Sequence, residues 1–272
     1  MASGMFQALG RVLILAGSDS GGGAGVQADI KTVTALGGYA ATAITAITVQ
    51  NTLGVTAVHP IPTEVVEAQA AAVLDDIGAD AIKTGMLGDA AMVEAVARVL
   101  DRASGVPAVI DPVITAKGGA ALLASDAVGA LRALLVPRAA LLTPNAPEAE
   151  ALTGLVVATT DDLRRAGEAL LKAGAGAVLM KGGHVPGPRV VDVLMTPYGE
   201  TTFEAERIDT RHTHGTGCTL ASAVATGLAQ GQSLEAAAAR AWDYVHRAIL
   251  GAPGLGRGAG PLDHGWTLRG KA

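Results

Sequence analysis

One cysteine, Cys218, in 272 residues excludes an intramolecular disulfide framework and any zinc site built from several thiolates. Aromatic side chains make up only 3% of the chain, so its core must be assembled from Ala, Val, Leu and Ile. Charged residues are also scarce, at 17%, while half of all residues are apolar, a balance that excludes an intrinsically disordered chain. Positive charge is not in excess either. Twenty Lys and Arg stand against 25 Asp and Glu, a net charge of −5, so no nucleic-acid partner is expected. Two stretches, 32–63 and 212–234, hold no charged residue at all. Gly, Thr, Gln, Asn and His interrupt both, so neither reads as a membrane span and no membrane partner is expected. The opening MASGMFQALGR lacks a charged segment followed by a long apolar one. No signal peptide is therefore expected, and the expected location is the cytoplasm.

What remains is an alternation of short apolar runs with helical patterns. Strands are expected over 11–17, 42–49, 80–85, 107–112, 139–144 and 177–183. Helices are expected over 26–36, 64–76 with Thr63 as its N-cap, 90–102 and 126–135. Further helices follow near 147–153, 161–173, 216–229 and 234–250. VVDVLMT and TTFEAERI read as an antiparallel pair joined by a turn at 197–200. Repeated β-α-β units predict an α/β fold, a mostly parallel central sheet with helices on both faces. No linker or charge block divides the chain, so one domain over 1–272 is expected, with residues 1–10 and the last few peripheral.

Parallel sheets place ligands at the carboxyl ends of their strands, and the chemically notable residues gather where the apolar runs stop. AGSDSGGGAGVQAD (16–29) joins the first strand to the first helix. Its bunched glycines fit neither a Walker loop nor a dinucleotide fingerprint. They suit a backbone that approaches a ligand closely, or simply a strand–helix turn. HTHGTGCTLASA (212–223) places Gly215, Thr216, Gly217 and Cys218 at the start of an Ala-rich helix. Free N–H groups and the positive end of the helix dipole form an anion hole there. The same position predicts a lowered thiol pKa for Cys218, unless it is only a small buried hydrophobe. Asp111 and Glu148 are candidate Mg²⁺ carboxylates acting through water beside a polyphosphate, and each alone also suits a cap or a solvated acid. Asn145 is equally a helix N-cap. Lys181, followed by two glycines, and Lys117, flanked by two more, are candidate phosphate contacts on loops. His184, His212 and His214 lack metal-ligand spacing and read as loop residues.

Taken together, AGSDSGGGAGVQAD, VQNTLGV, KTGML, DPV, TPNAPEAE, MKGGH and HGTGCTLASA occur in the order found in hydroxymethylpyrimidine/phosphomethylpyrimidine kinases of thiamin biosynthesis. The chain resembles that family of the ribokinase-like superfamily over residues 11–265. The resemblance implies ATP-dependent phosphorylation of 4-amino-5-hydroxymethyl-2-methylpyrimidine to its monophosphate and then to the pyrophosphate. It implies ATP as co-substrate, Mg²⁺ as cofactor and a homodimer. It assigns Gly17, Asp29, Gln50, Met86 and Val113 to the pyrimidine, with Asp29 facing the pocket and Gln50 reading the aminopyrimidine edge. Some relatives have Glu at that position. Gly215, Thr216, Gly217 and Cys218 become the catalytic segment, with Cys218 where many sugar kinases of the superfamily carry an Asp base. Asn145, Lys181 and Lys117 fall near the nucleotide phosphates, and Asp111 and Glu148 at the metal. Two other readings use the same residues: a pyridoxal kinase of this fold, and a protein that binds a vitamin phosphate without chemistry.

Overall fold

RVLILA forms β1 (Arg11–Ala16), in the middle of an eight-stranded sheet. Both faces of this strand are covered. Leu13 and Leu15 point into one apolar layer, and Val12, Ile14 and Ala16 into the other. A strand buried on both faces has no polar face to show, which is why the sequence reads as a continuous apolar run. The computed structural model describes residues 9–115, 119 and 122–269.

The other strands are β2 (Tyr39–Ile44), β3 (Ala46–Asn51), β4 (Gly54–Pro60), β5 (Ala81–Thr84), β6 (Ala108–Ile110), β7 (Leu141–Leu142), β8 (Val178–Met180), β9 (Arg189–Thr196) and β10 (Gly199–Glu206). The main sheet runs β10-β9-β8-β7-β6-β5-β1-β2. Within it β2, β1, β5, β6, β7 and β8 pair in parallel, and β9 and β10 add an antiparallel edge. The helices are α1 (Gly25–Ala35), α2 (Thr63–Asp76), α3 (Ala90–Arg102), α4 (Ala127–Ala130), α5 (Ala146–Thr153), α6 (Thr160–Lys172), α7 (Thr216–Ala229) and α8 (Leu234–Leu250). α1, α7 and α8 cover one face of the sheet, and α2 to α6 cover the other. The uncharged stretch 212–234 is explained by α7, whose small side chains bury ten residues against the sheet and α8.

The fold departs from the sequence expectations in three places. The run 42–49 is not one strand. The chain leaves the sheet at Thr45, whose hydroxyl donates to the Met86 carbonyl (2.7 Å) and whose N–H donates to Ala16 (3.0 Å). Beyond it, β3 turns back on β4 in a separate two-stranded ribbon, an element the sequence reading missed. Thr63 is the first residue of α2, not its cap; Pro62 holds the cap position without a side-chain bond. The helix expected over 126–135 changes pitch after Ala130. Val136 N–H bonds Leu131, five residues back, and Pro137 has no N–H to restore the α pattern.

Candidate active site

The first crossover runs from β1 to β2 on one side, while β5 joins β1 on the other. Such a switch of direction opens a crevice at the strand carboxyl ends. A cavity of about 1020 Å³ lies there. The glycine-rich loop after β1 forms one wall and is organised by Asp19. This carboxylate is almost wholly buried and accepts from the N–H groups of Gly21 (2.8 Å), Gly23 (3.1 Å) and Ala24 (2.8 Å). His214 Nε2 is its fourth partner, at 2.8 Å. Burial raises the Asp19 pKa, but His214 and the backbone donors outweigh it and hold the carboxyl below its usual range.

The loop packs directly on the start of α7. Gly215 caps that helix at φ +86°, and a Cβ there would collide with the Gly23 carbonyl. Only glycine meets both conditions. Gly217 and Cys218 follow in the cavity wall, with first-turn N–H groups that a helix leaves without internal acceptors. Cys218 contradicts one sequence expectation. Its thiol is not lowered by the helix dipole; burial pushes it up to about 11, against the pull of Lys83.

Beside this helix end stands a cluster from three strand ends. Lys181 Nζ lies 3.0 Å from Asp111 Oδ1 and 3.6 Å from Glu148 Oε2. Thr143 donates to the same Asp111 oxygen, at 3.1 Å. Burial works against the Lys181 ammonium, but the two carboxylates hold its pKa well above the ordinary range. Burial raises Glu148 against the pull of Lys181. Asn145 and Glu148 close a capping box on α5, through Glu148 N–H to Asn145 Oδ1 (2.9 Å) and Asn145 N–H to Glu148 Oε2 (2.8 Å). Both residues line the cavity as well, so the cap and the site share the same side chains. Among the described residues no group of three His, Cys, Asp or Glu stands ready to hold a metal.

Gly17, Gln50, Met86 and Val113 also line the cavity, beside Thr216. Asp29 does not, contrary to expectation. It is wholly buried behind the wall, where Lys83 Nζ binds both its oxygens (2.9 and 2.8 Å) and Ser222 donates to it (2.7 Å). Burial disfavours the Lys83 charge, but Asp29 keeps its pKa well above the ordinary lysine range. A buried pair of this kind is costly to break on one side only. Lys83→Met is therefore expected to destabilise the fold by about 3–5 kcal/mol, read from denaturant melts, whereas a structurally idle pair would leave the midpoint unchanged. Lys117 lies outside the described residues.

The family profile of phosphomethylpyrimidine kinase matches residues 19–263. The chain belongs to the phosphomethylpyrimidine kinase family. It is 52% identical over 257 residues to the hydroxymethylpyrimidine/phosphomethylpyrimidine kinase of Streptomyces coelicolor, covering 94% of this chain and 95% of that one. Among solved structures it resembles the phosphomethylpyrimidine kinase of Clostridium difficile, with 39% identity, a TM-score of 0.79 and coverage of 88% and 99%. It also resembles the ADP complex of Bacillus subtilis pyridoxal kinase, with 37% identity, a TM-score of 0.88 and coverage of 94% and 98%. The ribokinase-like α/β fold expected from the motifs is the fold of these neighbours.

Four of the other lining residues shape the cavity and carried no role in the sequence reading. Asp19 and His214 are two of them. Asp192 is the third; it accepts from Gly182 N–H (2.7 Å), next to Lys181, and burial pushes it up to about 6. Trp242 is the fourth, stacked on His246 at 5.5 Å between ring centroids and facing Phe203 at 6.2 Å. With Val190, Val245 and Ile249 it gives the far end of the cavity an apolar lining. A signal for Asp19 was present in the sequence, since an acid just ahead of three consecutive glycines suits a turn whose N–H groups converge on it.

Proposed function

We propose that this chain phosphorylates 4-amino-5-hydroxymethyl-2-methylpyrimidine with ATP and then phosphorylates the monophosphate to the pyrophosphate, for thiamin biosynthesis. One observation carries the reading. Gln50, Met86 and Val113, fit to hold a small aminopyrimidine ring, share one cavity with Cys218, the α7 N-terminus and Lys181. Gln50 presents both a donor and an acceptor, Met86 and Val113 offer apolar contacts for ring faces, and Gly17 lets the backbone come close. ATP enters from the other end, its base against Trp242 and its phosphates toward Asn145, Lys181 and the N–H groups of Gly217 and Cys218. The hydroxymethyl oxygen forms a bond to the γ-phosphorus, the bond to the β-phosphate oxygen breaks, and the α7 N-terminus stabilises the charge on the transferring group. Cys218, in its thiolate form, takes the hydroxyl proton and becomes the neutral thiol. In the second step a phosphate oxygen is the acceptor and needs no base near neutral pH.

Asp111 and Glu148 suit Mg²⁺ held through water and nucleotide phosphates. Asp111 Oδ1 is engaged by Lys181 and Thr143, and Glu148 Oε2 by the backbone. Each carboxylate keeps a second oxygen, and two carboxylates with phosphates and water are a usual magnesium donor set. When bound, the ion neutralises charge on the phosphate oxygens.

We also propose a homodimer through the outer face of the β3–β4 ribbon, where Ile47 and Val49 are exposed. We place the protein in the cytoplasm, with its ATP; among the described residues no helix is long and apolar enough to cross a membrane. The similarity to pyridoxal kinase keeps a second alcohol in view, since pyridoxal also carries a hydroxymethyl group on a nitrogen ring. Initial rates with Mg·ATP and each alcohol in separate tubes decide between them. A higher kcat/KM for the pyrimidine is expected. Turnover of pyridoxal alone would overturn the substrate and the role of Gln50, and binding of the pyrimidine without turnover of either alcohol would favour a sensor.

A further inference from the structure

The contact between His214 and Gln50 contains a contradiction that identifies a positioning residue. His214 Nε2 lies 2.8 Å from Asp19 Oδ2 and 3.2 Å from Gln50 Nε2. The Asp19 carboxylate can only accept, and its other contacts are the N–H groups of the glycine-rich loop. His214 Nε2 therefore carries the hydrogen. An N–H facing the Gln50 amide nitrogen would set donor against donor. At the other end of the amide, Thr48 Oγ1 already donates to the Ser18 carbonyl at 2.9 Å. Only its lone pairs remain for Gln50, 3.3 Å away. The two ends of a glutamine amide are nearly equal in shape, so their partners decide which is which. Both partners give the same answer: Oε1 belongs against His214 and Nε2 against Thr48.

We infer that His214, held by Asp19, and Thr48 lock the Gln50 amide in one polarity and thereby set which edge of the substrate ring the site accepts. This rests on the proposal that Gln50 meets an aminopyrimidine. The one His214 Nε2 hydrogen is already given to Asp19, so an amide N–H finds no lone pair there and Oε1 keeps its own, while Thr48 takes one of the two Nε2 hydrogens. An acceptor and a donor remain, the complement of an amino N–H beside a ring nitrogen. The acceptor lies on the side of His214 and the α7 N-terminus, so the amino group of the substrate is drawn to that side. A free amide turns over at little cost and reads the edge in either direction. His214 links three segments distant in sequence, the glycine-rich loop, the end of β3 and the start of α7, so that one side chain aligns the ring reader with the phosphoryl site.

The test is the ratio of kcat/KM for the 4-amino alcohol to that for the same alcohol without the amino group. A site built around a hydrogen bond rejects the analogue that lacks it, and a preference of about ten-thousandfold is expected for the wild type. In His214→Leu the ratio falls at least about tenfold, with KM for ATP unchanged. His214→Gln, which returns an N–H donor at similar reach, restores the ratio to within about threefold. Thr48→Val removes the other anchor and lowers the ratio too, and it carries the test if His214→Leu does not fold. A ratio that stays at the wild-type value in these variants overturns the inference, even if both rates fall together, because a general loss of structure depresses the two alcohols alike. A wild-type enzyme that phosphorylates the pyrimidine without preferring the amino form also overturns it. Wild-type turnover of pyridoxal alone is the separate failure of the substrate assignment.

Discussion

A Gly215→Ala variant is expected to lose roughly a thousandfold in turnover, the upper range for loss of a preorganised anion-binding donor. The added methyl group faces two obstacles at once. The residue sits at φ +86°, and the new Cβ runs into the Gly23 carbonyl and the backbone of Ala24. Neither obstacle is the end of a flexible side chain, so the start of α7 must shift against the glycine-rich loop. That shift displaces the N–H groups of Gly217 and Cys218 from the transferring phosphoryl group. Both phosphorylations use those groups, so both rates fall together. KM for the pyrimidine changes far less, since Met86 and Val113 stand on other elements. Steady-state kinetics on each substrate, with a thermal melt to confirm folding, gives the answer. Turnover within about tenfold of the wild type would mean that the helix end is not where the phosphoryl charge is stabilised.

The second large effect separates the two steps. Cys218→Ala is expected to lower the first phosphorylation by about a hundredfold and the second by less than about tenfold. The difference follows from the acceptors, an alcohol that must lose a proton and a phosphate that is already ionised near neutral pH. The thiol adds a pH signature. Because burial holds it at about 11, only a small fraction is thiolate at pH 7, and the base form is the deprotonated one. The rate of the first step should therefore rise with pH, by about tenfold per unit between 7 and 9. The second step should lack that rise, and so should Cys218→Ala in the first. A flat wild-type profile, or equal losses in both steps, would remove Cys218 from proton transfer.

The location of the cavity was legible because each strand end that lines it interrupts an apolar run with glycine or a polar residue. Gly17, Asp111, Asn145 and Lys181 could be named from that interruption alone, as could Gly215 to Cys218 at the helix start. Depth was not legible. The resemblance puts Asp29 at the pocket, but Lys83 and Ser222, 54 and 193 positions away, draw it behind the wall. The helix dipole gives the direction of its own effect on Cys218, while the surrounding protein that outweighs it comes from distant segments. The pairing of His214 with Asp19 spans 195 residues and no local pattern announces it. The break at Thr45 hides inside an unbroken β-branched run, since what ends the strand is a pair of contacts to Ala16 and Met86.

One cavity that performs two successive phosphorylations of one pyrimidine must release its products in a fixed order. A mass-resolved time course with purified protein, Mg·ATP and the hydroxymethylpyrimidine tests it most directly. The expected result is a monophosphate that rises first and then falls as the pyrophosphate replaces it. A monophosphate that accumulates to the full amount of substrate while ATP remains, with no second product, would contradict it.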